Sequence, residues 1–299
     1  MLNLRSSLTL LKRNGFRPWH FGALAVLCGA AVAAGWPAWI DLFQQGWRDP
    51  EDTHVLLVPV VVFWLVLARR VRLRKVTPQN RWAGPVLVAL GWLMYAYGDA
   101  RLVESVWYLG AITTLVGAVL TIGGTDLVRY FLPAFGVLVF LIPIPGSLRA
   151  EIALPLQTAM AATAEWLCVT FGFPIERRGN VLEINGQPVA IEEACNGLRM
   201  VFSLILVTYA FAFSTPLRWY VRVLLLAVSP LLAIACNVVR LIPTIILYGY
   251  AGDAIGDFFH DIAGWAMLFV ALLLLIGTLR LVDWLDLPVI RLDRAGRSE

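Results

Sequence analysis

Leu224-Leu225-Leu226-Ala227-Val228-Ser229-Pro230-Leu231-Leu232-Ala233-Ile234-Ala235-Cys236-Asn237-Val238-Val239-Arg240 decides the class of this chain. No charged residue occurs from Leu224 to Val239, and an arginine then closes the run. With the residues from Trp219 onward, the stretch reaches the roughly 20 residues that a helix needs to cross a bilayer. Charge inside hydrocarbon is expensive, so an arginine at such a boundary marks a membrane interface or a functional site. Asn237 and Cys236 lie within one turn of Arg240, and Cys236 shares its helical face. A face that polar belongs toward a helix bundle.

The rest of the chain agrees with this reading. Of 299 residues, 60% are hydrophobic and 15% charged, with a mean hydropathy of +0.76. A soluble domain is about half apolar and about a quarter charged. The composition therefore predicts an all-α polytopic membrane protein. No polar linker or low-complexity segment divides the chain, which predicts one integral-membrane domain over 1–299. No internal repeat is visible, which weakens a transporter built from duplicated halves. The pI of about 9.0 is no nucleic-acid signal, because the basic residues cluster beside apolar runs as orientation signals do.

About eight spans are expected, near 21–40, 55–68, 84–98, 106–122, 127–144, 197–213, 219–240 and 259–279. The first lacks a small-x-small cleavage site before a polar region and reads as a retained span. The positive-inside rule then orients the bundle. Arg5, Lys12, Arg13 and Arg17 put the N-terminus inside. Asp41, Asp49, Glu51 and Asp52 against Arg48 put the next loop outside. Arg69, Arg70, Arg72, Arg74, Lys75 and Arg81, then Arg129, then Arg218 and Arg222, and finally Arg280, Arg291, Arg294 and Arg297 all fall inside. The expected topology is N-in and C-in, and it sets Cys195, Arg240 and His260 at the outer ends of three different spans.

The segment 145–194 is the one sizeable non-spanning region and is expected outside. Leu154–Phe173 reads as an amphipathic or re-entrant helix, opened by Pro155 and closed by the Gly172–Pro174 stretch. Val181–Ile191 reads as a hairpin turning at Asn185-Gly186. Pro188 makes its second strand an edge, and the hairpin runs straight into Glu192-Glu193-Ala194-Cys195 as a lid or substrate edge.

A thiol, a guanidinium and an imidazole on one face are the parts of a cysteine acyl-transfer site. Cys195 opens a helix, where the N-terminus favours thiolate, and Asn196-Gly197 lets backbone N–H groups approach an oxyanion. Arg199, one turn after Cys195, is a rival to Arg240 as the cation. His54, at the outer end of the second span, is a rival to His260 as the base, whereas His20 lies on the inner side. Asp257 stands three residues before His260 and is placed to orient it. The four cysteines fit neither a zinc pattern nor a disulfide framework, and Cys28, Cys168 and Cys236 read as apolar packing.

Glu193-Ala-Cys-Asn-Gly-Leu-Arg199, Asn237-Val-Val-Arg240 and His260-Asp-Ile-Ala-Gly264 together resemble the exosortase/archaeosortase family of membrane transpeptidases. The order and spacing match over about residues 40–280. Asn196 stands where the family more often has Ser. Asp52-Thr-His54 is a weaker match to a Ser-His-Gly element, with Val55 in place of the glycine. The resemblance implies a membrane cysteine protease or transpeptidase that cleaves a C-terminal sorting signal of secreted proteins, of the PEP-CTERM type. That signal has a short motif, a spanning helix and a basic cluster. Cys195 would be the nucleophile, Arg240 the anion stabiliser and His260 the acid/base. His54, Glu193, Asn196, Gly197, Arg199 and Asn237 would bind substrate or support the site. No metal or organic cofactor is implied. The plasma (inner) membrane is the expected location, with the site on its extracytoplasmic face.

Two other classes compete. A transporter, or a non-catalytic component of exopolysaccharide or envelope assembly, would need polar residues at mid-membrane or would leave the three reactive groups without a shared purpose. A glutamate-dependent intramembrane protease of the Glu-Glu-x-x-x-Arg type would need Arg at 197, where Gly197 stands, and neither His-Glu-x-x-His nor Gly-x-Ser-x-Gly occurs.

Overall fold

A computed structural model describes residues 16–49, 51–78, 82–190 and 197–284. The chain divides into two compact units, Met1–Pro145 and Gly146–Glu299.

In the first unit, helix α1 (Pro18–Ala34) meets α2 (Trp36–Arg48) at a 74° bend at Gly35. The expected single helix over 21–40 is therefore broken. Pro37 accounts for the position of the break: its ring and missing N–H are tolerated in the first turn of a new helix and not in the interior of an old one. A 3₁₀ turn (Glu51–Leu57) leads into α3 (Val58–Ala68), and a basic 3₁₀ turn (Arg70–Lys75) follows it.

Helices α4 (Ala83–Arg101) and α5 (Glu104–Gly136) form a hairpin of backbone-to-backbone contact. Gly84, Gly91 and Gly98 of α4 and Gly110 and Gly117 of α5 recur every seventh residue along the seam. A Cβ at Gly91 would fall 2.5 Å from the Thr114 backbone nitrogen, and one at Gly110 would fall 2.3 Å from that of Tyr95. Small residues at such spacing let helices approach closely where there is no hydrophobic effect to drive them together. The two expected spans 106–122 and 127–144 are one run broken at Gly124, whose φ of 66° leaves the helical region, and a 3₁₀ turn (Val137–Leu141) completes it.

The second unit begins with α6 (Gly146–Thr170), eight residues earlier than the expected start near 154. Pro155 lies inside it. The proline leaves the Glu151 carbonyl without its helical partner, and exposure of Glu151 makes that tolerable. The helix ends as anticipated at Gly172. With φ +85° that residue takes the C′ position, and the Gly172 and Phe173 N–H groups close on the Val169 and Cys168 carbonyls at 3.0 and 2.9 Å. The expected hairpin is present, but in a three-stranded antiparallel sheet of order β1 (Ile175–Arg178), β2 (Val181–Ile184), β3 (Gln187–Ala190). Ile184 pairs with Gln187 across Asn185-Gly186. Both turn residues have positive φ, 51° and 74°, which is the primed turn that suits the strand twist. Strand β3 is one of the sheet's two edges, and Pro188 sits on it.

Helices α7 (Leu198–Ser214), α8 (Trp219–Ala251) and α9 (Asp253–Trp284) complete the unit. Met200, Leu204, Ala233, Cys236 and Ala271 form one core between them. Ala212, Leu217, Val221, Leu225 and Leu275 form another. The third core joins α6, the sheet and α8 through Met160, Ala161, Ala164, Cys168, Ile175, Leu182, Ile184, Leu241 and Ile245. This packing explains why α8 runs eleven residues beyond Arg240 despite Pro243: Leu241 and Ile245 are buried under the sheet.

Helical structure covers most of each expected stretch, although residues 142–144 of the fifth are not helical. Among the described residues, five helical segments are long and apolar enough to cross a membrane: Glu51–Ala68, Glu104–Leu141, Gly146–Thr170, Trp219–Ala251 and Asp253–Val282. The bent pair of α1 and α2 makes a sixth if it counts as one span. Gly146–Thr170, expected as a peripheral helix, is thus of spanning length and composition. The chain is a polytopic helical membrane protein.

Candidate active site

Helix α8 buries a polar stripe of Ser229, Asn237, Arg240 and Thr244, of which Asn237 and Arg240 were expected to face inward. Arg240 is 6% exposed and Asn237 fully enclosed. Arg240 Nη2 donates to Asn237 Oδ1 at 2.8 Å. Asn237 Nδ2 donates in turn to Met160 Sδ of α6 at 3.2 Å. The Thr244 hydroxyl donates to the Arg240 carbonyl at 2.8 Å. The amide of Asn237 is neutral, so it orients the guanidinium fork without cancelling its charge.

Two glycines bring the other motif segments to this pair. Gly197, at the mouth of α7, has φ +80°, and a Cβ there would lie 3.0 Å from Asn237 Nδ2 and 3.2 Å from Met160 Cε. Gly264 of α9 faces Arg240 so closely that a Cβ would lie 2.9 Å from Nη1. His260 stands one turn before Gly264 on the same helical face and is half-buried. The stretches around 197, 237–240 and 260–264 therefore converge on the Asn237–Arg240 pair.

Arg199, the rival cation, is exposed. His54 belongs to the first unit, where it is 5% exposed and its Nδ1 lies 3.1 Å from the Glu51 carbonyl. A carbonyl only accepts, so this pairing puts the ring proton on Nδ1. Asp257 accepts a hydrogen bond from Tyr248 Oη at 2.5 Å, and the Tyr248 ring lies over Gly256, which ties the end of α8 to the start of α9. Cys195, Asn196 and Glu193 lie outside the described residues, as does Glu192. Cys168 and Cys236 are buried and Cys28 half-buried.

Two members of the cluster were not legible beforehand. Met160 reads as ordinary core on an apolar helix and carries no signal of its role. Thr244 is one turn beyond an arginine that seemed to end its helix. The sheet holds the end of α8 beyond the site: Ile184 packs where a Gly249 Cβ would be, and Asn185 Nδ2 donates to the Gly249 carbonyl at 3.3 Å.

Fold and site together define a polytopic membrane protein whose buried cation is held at the meeting point of three helices. Residues 46–277 match the family model described as transmembrane exosortase (Exosortase_EpsH). The chain belongs to the transmembrane exosortase family, and this membership suggests a membrane transpeptidase. No curated protein and no solved structure matches it.

Proposed function

We propose that this protein is a membrane cysteine transpeptidase or peptidase that cleaves the C-terminal sorting signal of secreted proteins. The observation that carries the proposal is that Gly197 packs on Asn237 and Gly264 on Arg240, so that three motif segments meet at one buried, hydrogen-bonded pair. Cys195 is two residues before Gly197, and two residues of chain reach about 7 Å at most.

In this reading the Cys195 thiolate attacks the scissile carbonyl and a thioester forms as the peptide bond breaks. Arg240 stabilises the oxyanion of the tetrahedral intermediate. His260 protonates the leaving amine and then deprotonates the incoming amine or water. Asn237 orients Arg240, Gly197 makes room for Asn237 and Gly264 makes room for Arg240. Asn196, Glu193, Arg199 and His54 serve substrate binding or support. The whole chain works as one domain with eight spans, N-in and C-in, in the inner membrane, and the site faces outward. The length of α8 fits this: Arg240 is about 32 Å along the helix from Trp219, close to the roughly 30 Å of a hydrocarbon core. The substrate is a tail of the PEP-CTERM kind, with a short motif, a spanning helix and a basic cluster.

The test is co-expression with a tailed reporter. Cys195→Ala should abolish shortening of the reporter while the protein still inserts, and wild type should yield a hydroxylamine-sensitive thioester adduct. Undiminished shortening by the Ala variant refutes the proposal.

A further inference from the structure

Helix α2 (Trp36–Arg48) has three faces. At about 100° per residue, Ala38, Trp39, Leu42 and Gly46 share one sector, and all four are buried. Trp36, Ile40, Phe43 and Trp47 fall within about 60° of each other on a second sector, and they are 38% to 82% exposed. Asp41, Gln44, Gln45 and Arg48 occupy the third. Its Asp41 and Gln45 accept from Tyr108 Oη at 2.5 and 3.2 Å, and Gln45 Nε2 donates to Asp52 at 2.9 Å. Beside the exposed apolar stripe lies an open cleft of about 410 Å³ lined by Phe43, Gln44, Trp47, Arg48 and Leu56.

From this arrangement we infer that α2 lies in the plane of the membrane interface, its Trp36–Ile40–Phe43–Trp47 stripe set at the boundary of acyl chains and headgroups, and that the cleft takes a phospholipid whose phosphate meets Arg48. Three observations select lipid as the occupant. Helix α2 follows directly on α1, an apolar helix of 17 residues or about 26 Å, which nearly crosses the core by itself. The 74° bend then turns α2 almost perpendicular to that helix. Finally, tryptophan and phenylalanine beside a polar face with an exposed arginine are the composition of an interfacial helix. Alternatives conflict with the same residues. At 13 residues α2 is about 20 Å long, too short to cross, and a re-entrant course would take Asp41 and Arg48 into hydrocarbon at high cost.

The inference stands apart from any catalytic assignment and is tested on the full chain reconstituted in vesicles of phosphatidylcholine with phosphatidylglycerol. Photoreactive phospholipids carrying a diazirine near the glycerol end of one chain are compared with lipids carrying it at the chain terminus, with crosslinks mapped by mass spectrometry. The glycerol-end probe should label Trp36, Ile40, Phe43 and Trp47 and spare Asp41 and Gln45, while the terminal probe labels α1 instead. Labelling of α2 by the terminal probe overturns the inference, because the helix is then deep. Absence of labelling by both probes also overturns it, because the stripe is then covered by protein. Arg48→Gln should lower labelling of Trp47 about fivefold with the phosphatidylglycerol and the phosphatidylcholine glycerol-end probes alike, since both carry the phosphate, and unchanged labelling by both overturns the pairing of Arg48 with phosphate.

Discussion

Gly264→Ala separates the position of the guanidinium from the stability of the fold. The added Cβ would stand 2.9 Å from Arg240 Nη1, against an ordinary carbon–nitrogen contact of about 3.5 Å. Something must therefore give by about 0.6 Å. The obstructing atom is the far end of a long side chain, so the fork moves more cheaply than the helix. Alanine is also the better helix former by about 1 kcal/mol, which offsets much of the steric cost. Thermal stability in detergent should shift by less than about 1 kcal/mol. Activity should respond much more. A misplacement of about 1 Å can cost on the order of a hundredfold in rate, so a displacement of roughly half that predicts a loss of about tenfold or more. The fork would also strain its 2.8 Å bond to Asn237. The assay measures the rate of reporter shortening beside the unfolding midpoint of the same preparation. Full activity with unchanged stability would refute the idea that Gly264 is there to admit the guanidinium. Loss of folding in step with activity would make the glycine a packing residue only.

Other perturbations probe the remaining joints of the structure. Asn237→Ala removes an acceptor of Arg240 Nη2 at a fully buried position, and losing a hydrogen bond to a charged group should cost about 1.5–3 kcal/mol, read as a lower unfolding midpoint together with slower processing. Asn237→Asp restores an acceptor but pairs the guanidinium with a charge, so it should fold better than the Ala variant while remaining impaired in rate. Gly110→Val in the α4–α5 seam puts a branched side chain where even a Cβ falls 2.3 Å from the Tyr95 backbone nitrogen. It should reduce the yield of folded protein by separating the hairpin, measured by size-exclusion profile, and Gly22→Val in α1, with nothing within 4 Å, should not. Gly186→Val forces a β-branched residue to φ +74°, at a cost of at least about 1–2 kcal/mol, and proteolysis of the sheet under native conditions should report it.

The residues themselves were enough to identify a polytopic helical membrane protein, to order its apolar runs, to find the Asn185-Gly186 hairpin and to pick out Asn237 and Arg240 as inward-facing. These are consequences of local chemistry: twenty apolar residues have one low-energy environment, Asn-Gly has one favoured turn, and a polar stripe on an oily helix has to find a protein neighbour. What the residues could not disclose depends on partners distant in the chain. Nothing near Arg240 in sequence indicates that α8 continues past it. The helix persists through Pro243 because a sheet formed some sixty residues earlier buries Leu241 and Ile245. Nothing in Met160 announces a hydrogen bond to Asn237, and nothing in Arg199 says that it faces outward while Arg240 turns in. The bend at Gly35, the seven-residue glycine seam and the meeting of residues 197, 237, 240 and 264 all arise from which backbone comes within a few ångströms of which other. That is a property of packing in three dimensions, and a linear pattern of polarity does not encode it.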